Sequence, residues 1–396
     1  MGACFSVEAF FQKAGFKASH QFTELSDKEC SAPPIAPANV PQISSPERMN
    51  TVVVASKDVK DLRRNPISGL DIFSYKEMKL AIKHFPQDQV LGDGGFGTVY
   101  KGVVDGNVRP GYKTMSVAIK ELDPQSQQGD REWLAEVNYL GQLRHPNLLR
   151  LIGYCCEDHH RLLVYEYMQS GSVEKHLFRR RSLTWSRRMK IALDAAKGLA
   201  FLHNAERQII YRDFKTSNIL LDADFNAKLS DFGLAKDGPT GDQTHVSTRI
   251  VGTHGYAAPE YLATGHLTAK SDVFGFGVVL LELLTGRRAT ERYGCSGEYN
   301  LVDWVRRLLI QPKLLLRIID PKMDGQYSVE TATKVAGLAS LCLCEKAKNR
   351  PNMSYVVQLL EDVNNNRFDE VPEQTEGTAN NEQRSCRRRY ELMGQN

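Results

Sequence analysis

Apolar and polar residues are distributed unevenly along the chain and divide it into a central body and two flanks. Residues 1 to about 70 carry a proline-rich run, Ser-Ala-Pro-Pro-Ile-Ala-Pro at 31–37, which can form neither a helix interior nor a sheet ladder. From about Asn364 onwards, Asn, Glu, Gln, Thr and Arg predominate. We therefore expect a flexible arm over residues 1–70, a folded body over 71–363 and a disordered tail over 364–396.

The first half of the body, from Val90 to Met168, contains short runs of β-branched and aromatic residues that predict strands. Between about Gly129 and Leu143, apolar residues instead recur at the spacing of a helix. This half is therefore expected to form a β-sheet with one helix. The predicted strands cover 99–104, 116–120, 148–154 and 161–167.

The second half of the body, after Ser170, follows the helical repeat almost throughout. A small sheet lobe followed by a larger helical lobe predicts an α+β protein, and a cleft between two such lobes is a common place for a ligand. The predicted helices cover 185–203, 271–284, 301–310, 331–344 and 353–363.

Composition excludes several classes of protein. Of the 396 residues, 41% are hydrophobic and 25% are charged, which is ordinary for a globular chain. The net charge of +4 gives no bulk basicity that would favour a nucleic-acid partner. The longest apolar stretch, Val273–Leu284, is interrupted by Glu282 and is too short to span a bilayer. Eight cysteines without the spacing of a zinc site indicate reduced thiols rather than a disulfide framework.

A glycine-rich segment at 92–99, Gly-Asp-Gly-Gly-Phe-Gly-Thr-Val, matches the pattern G-x-G-x-x-G-x-V. Glycines let a turn approach phosphate groups closely and expose backbone N–H donors to them. A dinucleotide-binding fold shares this glycine spacing but requires a helix next. Here Thr98–Val104 continues as a strand and turns back at Asp105-Gly106, which favours a hairpin that covers a nucleotide.

Four further motifs follow along the chain. Lys120 ends the strand Val-Ala-Ile-Lys, and two interpretations of it stay open. Its ammonium group could simply reach water from a strand end, or it could hold nucleotide phosphates while the carboxylate of Glu136 orients it. The other motifs are Tyr-Arg-Asp-Phe-Lys-Thr-Ser-Asn at 211–218, Asp-Phe-Gly at 231–233 and Ala-Pro-Glu at 258–260.

Five motifs in this order resemble the signature set of the protein kinases, over about residues 85–363. The resemblance implies a bilobal α+β fold. In that fold a small antiparallel β-sheet lobe carries one regulatory helix, a larger lobe is mainly helical, and ATP binds in the cleft between them. The resemblance also implies ATP and Mg²⁺ as cofactors, with Mn²⁺ as an alternative, and transfer of the ATP γ-phosphate to protein substrates.

The resemblance assigns roles to the polar residues of the catalytic motifs. Asp213 is similar to the catalytic base, which orients the substrate hydroxyl and accepts its proton. Lys215 is similar to the cation that screens charge at the γ-phosphate. Asn218 and Asp231 are similar to the Mg²⁺ ligands, since amide and carboxylate oxygens suit a hard cation.

The same resemblance outlines the ATP site. Lys120 and Glu136 correspond to the ion pair of the active state, and Tyr165 corresponds to the gatekeeper residue beside the adenine pocket. The backbone of Glu166 and Met168 would hydrogen-bond adenine. The residues expected to contact ATP are Leu91, Gly92, Asp93, Gly94, Gly95, Phe96, Gly97, Thr98, Val99, Ala118, Lys120, Glu136, Glu166 and Met168.

Two features of the catalytic loop bear on specificity and packing. Lys215, two residues after Asp213, is the serine/threonine pattern, and Thr253 matches the family position that bonds both residues; minor tyrosine activity stays open. Tyr211 stands where the family usually has histidine. We expect its ring to stack under Phe232 and to keep the loop packed.

Arg212 implies that phosphorylation of the activation loop controls the activity of the kinase. In the family, an arginine directly before the base binds a phosphate on that loop, which here covers residues 231–260. Ser247 and Thr248 are the first candidates for that phosphate, and Thr253 is a third. The resemblance also supplies structural partners in the helical lobe: Glu260 with Arg350, and Asp272 with the backbone of residues 211 and 212.

Longer stretches of sequence narrow the resemblance to the plant receptor-like cytoplasmic kinases. These stretches are 131–143, 210–222 and 252–261. They are most similar to the kinases that relay signals from pattern-recognition and hormone receptor kinases. Receptor kinases at the plasma membrane are therefore the expected upstream partners, in immune or hormone signalling.

Two alternatives come from other classes of protein. A pseudokinase scaffold would bind partners without transferring phosphate and would have lost the lysine, the base or the metal ligands of these motifs, yet all are present. A small-molecule kinase or a nucleotide-binding dehydrogenase would have no use for an activation segment ending at 258–260, which shapes a peptide groove. Both are therefore less consistent with the sequence than a protein kinase.

The N-terminal residues, Met-Gly-Ala-Cys-Phe-Ser, fit the N-myristoylation pattern M-G-x-x-x-[ST] on Gly2. One myristoyl chain binds a membrane only marginally, so stable anchoring needs a second signal. Basic and acidic residues are equally numerous over 1–60, which excludes a polybasic patch and leaves palmitoylation of Cys4. We expect the protein on the cytoplasmic face of the plasma membrane, with a cytosolic fraction.

Overall fold

The computed structural model describes residues 58–83, 87–94, 97–122, 127–179, 183–292, 298–309 and 317–365. The predicted lipidation sites Gly2 and Cys4, most of the predicted arm, and the tail from residue 366 lie outside the described residues. So do Gly95 and Phe96 of the glycine-rich segment.

The first lobe is built on a six-stranded sheet with the strand order β1-β5-β6-β4-β3-β2. Neighbouring strands are antiparallel, except that β1 runs parallel to β5. The predicted strand at 148–154 begins later than expected, because Leu148 and Leu149 pair instead with Leu229 of the second lobe. The strands are β1 Asp71–Ile72, β2 Val90–Gly94, β3 Gly97–Val104, β4 Met115–Leu122, β5 Leu151–Cys155 and β6 Leu162–Glu166.

One long helix packs against this sheet, as the sequence predicts. It spans Gln127–Gln142, close to the expected 129–143. Its apolar residues Trp133, Val137 and Leu140 are buried, and the indole N–H of Trp133 donates to the carbonyl of Leu162 at 3.1 Å. We call this helix α3, because two short helices precede it.

Residues 58–70, which the sequence assigns to the flexible arm, are part of the folded body. Helix α1 spans Val59–Arg64, is capped by the carboxylate of Asp58, and buries Leu62 completely. Helix α2 spans Tyr75–Ala81. The ordered body therefore begins upstream of the expected boundary at 70. A six-residue helix with a single buried leucine is too short to produce a helical repeat in the sequence.

The second lobe is mainly helical, as expected from its periodicity, and the two lobes together confirm the α+β class. Its central helix α7 is buried on nearly every side, which explains the long apolar run 273–284 as core. In the part of the chain that the structure describes, no helix is long and apolar enough to cross a membrane. The helices are α4 Val173–Leu177, α5 Trp185–His203, α6 Pro259–Thr264, α7 Ala269–Thr285, α8 Leu301–Leu309, α9 Val329–Cys342 and α10 Met353–Asn365.

Short strand pairs hold the loops that face the first lobe. The pairs β9–β10 and β8–β11 flank the motif at 211–218 and the Asp-Phe-Gly motif, and β12–β13 fixes the middle of the activation loop. The strands are β7 Gly171–Ser172, β8 Ile209–Ile210, β9 Ile219–Leu221, β10 Ala227–Leu229, β11 Lys236–Asp237, β12 Val246–Ser247, β13 His266–Leu267, β14 Thr290–Arg292 and β15 Glu298–Asn300.

Candidate active site

One lysine of the sheet lobe lies between two carboxylates that come from different elements. The Nζ atom of Lys120, on β4, is 2.7 Å from Oε1 of Glu136 on α3. The same atom is 2.9 Å from Oδ1 of Asp231, which begins the Asp-Phe-Gly motif of the second lobe. The three motifs are therefore brought together at one point of the cleft, and the lysine links both lobes.

The pKa values of these three groups follow from burial and mutual charge. Burial alone would lower the pKa of Lys120, but the charges of Asp231 and Glu136 raise it well above its usual range. Burial raises the pKa of Glu136 in spite of Lys120, whereas the Lys120 charge overcomes burial and lowers the pKa of Asp231. Lys120 is thus a permanent cation, and Asp231 is held as a carboxylate.

A second network surrounds Asp213 on the catalytic loop. One carboxylate oxygen, Oδ1, accepts from the hydroxyl of Thr253 at 2.8 Å. The other, Oδ2, lies 2.7 Å from Nζ of Lys215 and accepts from the side-chain amide of Asn218 at 3.1 Å. Lys215 also donates to the Thr253 hydroxyl at 2.9 Å. These bonds fix the Asp213 carboxylate in one orientation, as a base that receives a proton from a bound hydroxyl requires.

Asn218 and Asp231 fit the predicted metal ligands because they carry an amide oxygen and a carboxylate. The amide N–H of Asn218 is used on Asp213, which leaves its oxygen to act as a ligand. Asp231 contacts Lys120 through Oδ1 and is held as a carboxylate, the charged oxygen ligand that a hard cation takes. The described residues contain no cluster of three or more His, Cys, Asp or Glu side chains that could hold a metal alone. Two protein oxygens completed by phosphate and water suit Mg²⁺.

The glycine-rich segment forms the hairpin that its sequence favours. Strands β2 and β3 pair in antiparallel register, with Asp93 opposite Thr98, and the Thr98 hydroxyl donates to the Asp93 carboxylate at 2.9 Å. A strand follows the motif instead of a helix, so the dinucleotide-binding alternative is wrong. Gly97 has φ +138°, and a Cβ there would overlap the carbonyl oxygen of Glu121. Only glycine fits this position.

The predicted adenine contacts lie at the end of β6. The backbone N–H of Glu166 already donates to the carbonyl of Arg150 at 3.1 Å, so its carbonyl is the group available to adenine. The carbonyl of Met168 accepts from the N–H of Gly171 at 3.1 Å, which leaves its N–H for the ligand. One acceptor and one donor on alternate residues match the edge of an adenine ring. The other predicted ATP residues in the described part, Leu91, Gly92, Gly94, Val99 and Ala118, lie on β2, β3 and β4.

A bond between Tyr165 and α3 was not predicted from the sequence. The hydroxyl of Tyr165, on β6, donates to Oε2 of Glu136, the oxygen that Lys120 does not use. Burial and the Glu136 charge raise the pKa of Tyr165 well above its usual range, so the phenol stays protonated and can donate. A tyrosine at this position was visible in the sequence, but its partner lies 29 residues away and only the fold brings the two together.

Tyr211, which replaces the usual histidine, keeps the catalytic loop packed, though not by stacking. Its ring meets Phe232 edge to face, with centroids 5.1 Å apart, and its hydroxyl donates to the carbonyl of Ser230. Asp272 accepts from the backbone N–H groups of Tyr211 and Arg212, at 2.8 and 2.7 Å, as predicted. The substitution therefore leaves the loop anchored on both sides.

Arg212 lies against the middle of the activation loop. Its guanidinium donates to the Thr248 hydroxyl at 3.2 Å and to the carbonyl of Arg249 at 2.6 Å. Burial lowers the pKa of Lys236, and the positive charges of Arg212 and Arg249 lower it further, so three cations lie near one another on this side of the loop. Ser247, the neighbouring candidate, is exposed.

The predicted ion pair of the helical lobe is present. Arg350, whose side chain is completely buried, contacts both carboxylate oxygens of Glu260 at 2.7 Å. The pair ties the end of the activation segment to the residues that precede α10. A two-bond contact of this kind fixes geometry as well as charge.

A second residue that the sequence pattern did not identify as functional is Glu282 on α7. It is completely buried and accepts from the backbone N–H of Ala289 at 2.8 Å and from the hydroxyls of Tyr256 and Thr216 at 2.9 and 3.2 Å. Burial raises its pKa to about 7 in spite of these hydrogen bonds. Glu282 thereby connects the segment after Thr253 to the centre of the second lobe.

The raised pKa of Glu282 makes stability depend on pH. Between its usual pKa near 4.5 and about 7, the folded protein retains a proton that the unfolded chain releases, so unfolding free energy falls as pH rises. We expect Glu282→Gln to remove this loss, worth about 3 kcal/mol at roughly 1.4 kcal/mol per pKa unit. Urea unfolding of both proteins from pH 5 to 8 measures it; parallel pH profiles would contradict the assignment.

Comparison with known proteins identifies the family. Residues 85–360 match the family model described as protein tyrosine and serine/threonine kinase. The chain is 67% identical over 311 residues to the probable serine/threonine-protein kinase PBL17 of Arabidopsis thaliana, covering 78% of this chain and 70% of that protein. It is 58% identical over 304 residues to the receptor-like cytoplasmic kinase 176 of Oryza sativa subsp. japonica, covering 75% of this chain and 77% of that one.

A third relative carries a more specific name. It is the EPD1-interacting receptor-like cytoplasmic serine/threonine-protein kinase 5A of Gossypium barbadense, 60% identical over 296 residues, which cover 74% of this chain and 64% of that protein. The geometry of the two networks and these relatives agree. The chain belongs to the protein kinase family and is a serine/threonine protein kinase of the plant receptor-like cytoplasmic type.

Proposed function

We propose that this kinase transfers the γ-phosphate of ATP to serine and threonine residues of protein substrates, is activated by phosphorylation of its activation loop, and relays signals from receptor kinases at the plasma membrane. Kinases of this family use ATP and a divalent metal, generally Mg²⁺. The observation that carries the catalytic part is the assembly of the Lys120–Glu136–Asp231 and Asp213–Lys215–Thr253 networks at the cleft.

Each network has a separate task in phosphoryl transfer. Bound ATP would supply the phosphoryl group, and the metal ion bound with it would neutralise the negative charge of the phosphates. Lys120 positions phosphates from the sheet lobe, with Asn218 and Asp231 as the residues that would hold the metal. Asp213 orients the substrate hydroxyl and accepts its proton, while Lys215 provides positive charge beside the transferred group. Such chemistry depends on positioning and charge neutralisation and needs no covalent nucleophile.

The catalytic part is tested by incubating the purified full chain with ATP, Mg²⁺ and a generic protein substrate. Phosphate found on serine and threonine supports the proposal, and phosphotyrosine in the same digest would measure any second specificity. A protein that binds ATP but transfers nothing would favour the pseudokinase alternative.

Activation is proposed to act through Thr248, with Ser247 beside it. The Thr248 hydroxyl already contacts Arg212, which directly precedes the base, and Lys236 and Arg249 add positive charge nearby. A phosphate on Thr248 would give these cations strong acceptors and hold the loop in place. The Thr253 hydroxyl is used on Asp213 and Lys215 instead, so a phosphate there would set negative charge against the base.

We expect the turnover number of the double variant Ser247→Ala/Thr248→Ala to fall by about tenfold or more. Loss of one charge-assisted hydrogen bond, worth about 1.5 kcal/mol, would produce a reduction of that size. Thr248→Ala alone should account for most of the loss, because the guanidinium of Arg212 contacts the Thr248 hydroxyl. Thr244→Ala, on the same loop, is the matched control. Equal turnover of the phosphorylated and the phosphatase-treated protein would show that this switch is not used.

The role in relaying receptor signals is supported by the relatives. The Oryza sativa and Gossypium barbadense relatives are both named receptor-like cytoplasmic kinases. The name of the Gossypium barbadense protein also describes it as interacting with EPD1. Quantitative phosphoproteomics of plant cells that express either the wild-type chain or Asp213→Asn would give its substrates. Immunoprecipitation from the same cells would recover a receptor kinase if the relay is correct, and its absence under stimulated and resting conditions would argue against it.

Localisation is proposed to depend on lipid groups at Gly2 and Cys4. The supporting observation is the M-G-x-x-x-[ST] pattern, with a cysteine two residues after the glycine, at the start of the sequence. Two acyl chains anchor a protein stably where one does not.

We expect Gly2→Ala to move the protein from the membrane fraction to the soluble fraction, and Cys4→Ser to weaken its membrane recovery in high-salt washes. Cys156→Ser, a buried cysteine of the sheet lobe, is the matched control for the loss of a thiol. Membrane recovery unchanged by Gly2→Ala would reject the anchor. Loss with Gly2→Ala but not with Cys4→Ser would reject only the palmitoyl half.

A further inference from the structure

The segment Asp58–Ile72, which we call the N-terminal strap, packs on the same side of the sheet as helix α3. Leu62 is completely buried and belongs to the same apolar cluster as Val137 and Leu140 of α3. Ile67 and Leu70 are partly buried against that cluster. The strap therefore contributes to the environment of the helix that carries Glu136.

Direct contact between the strap and α3 occurs at Gly141. A methyl group built on this glycine would lie 3.0 Å from Cδ1 of Leu70 and 3.1 Å from Cδ1 of Ile67. The two side chains thus lie directly over the backbone of the last turn of α3, in space that any larger residue would occupy. The glycine allows the strap to approach the helix this closely.

The other side of the strap is fastened to β5 and the residue after it. Asp71 and Ile72 form β1, in parallel register with Gly153 and Tyr154. Upstream, the guanidinium of Arg63 donates to the carbonyl of Cys156. The strap is therefore held by backbone pairing and a side-chain bond to the sheet, while Ile67 and Leu70, between these two attachments, press on α3.

Position along α3 links this contact to the active site. Gly141 lies five residues after Glu136, about 7.5 Å along the helix axis at 1.5 Å per residue. A helix moves as a rigid element, so displacement of its last turns displaces Glu136 as well. The 2.7 Å contact between Glu136 and Lys120 tolerates little movement, and misplacement by about 1 Å can cost about a hundredfold in rate.

We propose that the N-terminal strap holds α3 in the position from which Glu136 reaches Lys120, and that Ile67 and Leu70 are positioning residues for phosphoryl transfer. They touch neither substrate nor nucleotide and act through Gly141 and α3. This extends the catalytic unit upstream of the family match, which begins at residue 85.

A purely structural role makes a different prediction. If the strap only covers apolar surface, its loss lowers the unfolding temperature while every folded molecule keeps its full turnover. If it positions α3, turnover falls in molecules that are still folded. The kinetic constants of folded protein, measured well below the unfolding temperature, therefore separate the two.

The experiment uses the full chain carrying Ile67→Ala/Leu70→Ala. The matched control is Met78→Ala on α2, because Met78 is also completely buried but belongs to the cluster with Val117 and Val164 on the other face of the sheet. Activation-loop phosphorylation is matched by mass spectrometry. We expect kcat to fall about tenfold or more in the double variant, with faster amide exchange in α3, and kcat to stay within about twofold in the control.

A second variant keeps the proposal testable if the double variant does not fold. Gly141→Leu leaves the strap sequence intact and places a good helix former where Ile67 and Leu70 lie. It should lower kcat as the double variant does, although its helix propensity is higher. Ile67→Val/Leu70→Met, which retains apolar contact, should restore turnover. Unchanged kcat in the folded double variant and in Gly141→Leu, or an equal loss in Met78→Ala, would overturn the proposal.

Discussion

An Asp213→Asn protein is expected to fold normally and to lose about a hundredfold to ten-thousandfold in kcat, the range that a positioned general base contributes. Asparagine has the same shape as aspartate but cannot accept the proton of the substrate hydroxyl. It also removes the negative charge that holds Lys215 at 2.7 Å. The loss should therefore appear in kcat rather than in affinity for ATP, because Asp213 belongs to the network of the second lobe.

The matched control is Asp224→Asn, an exposed aspartate between β9 and β10. Steady-state kinetics with protein substrate and calorimetric ATP titration, on both variants and the wild type, measure the effect. We expect wild-type kinetics from the control and near-wild-type ATP affinity from both. Near-wild-type turnover by Asp213→Asn would refute the assignment of the base.

The candidate catalytic residues could be named from sequence because most of them stand in contiguous motifs that resemble those of the protein kinases. The resemblance placed Asp213, Lys215 and Asn218 together on one loop, and in the structure both Lys215 and Asn218 contact the Asp213 carboxylate. The strand-and-helix pattern likewise predicted both lobes, because burial on one side of an element leaves a period in the sequence.

Contacts between distant elements could not be predicted in this way. The bond from Tyr165 to Glu136 joins a strand to a helix, and the buried position of Glu282 becomes evident only once Tyr256 and Thr216 converge on it. In the sequence, Glu282 is only a charged residue that interrupts the apolar stretch 273–284. Its three donors and its raised pKa belong to the folded state.

The N-terminal strap was missed for a further reason. It is held by backbone pairing of two residues, by a six-residue helix and by side chains that fit over a glycine. None of these leaves a repeat in the sequence, and the prolines upstream of it suggested a flexible arm. Short elements that gain their stability from tertiary contacts are invisible to periodicity.

Removal of the cation at the centre of the cleft is expected to have the other large effect. In Lys120→Met, two carboxylates remain close together without the charge that both now contact at 2.7 and 2.9 Å. The phosphates also lose a positioned positive group, which is worth roughly 10²–10³ in rate for interactions of this kind. We expect kcat/KM for ATP to fall by at least that factor.

The variant Lys120→Arg distinguishes the contribution of the positive charge at this position from that of its exact placement. The variant retains a cation between Glu136 and Asp231. Its unfolding temperature should therefore exceed that of Lys120→Met, in which the buried Glu136 and the partly exposed Asp231 lack a counter-charge. Its planar guanidinium is larger than an ammonium group and cannot occupy the same point between the two oxygens. Activity should therefore remain low in both variants while stability differs.

Lys79→Met, at an exposed lysine of α2, is the control and should behave as wild type. Activity restored by arginine would show that charge alone suffices, and would contradict the positioning role assigned to Lys120.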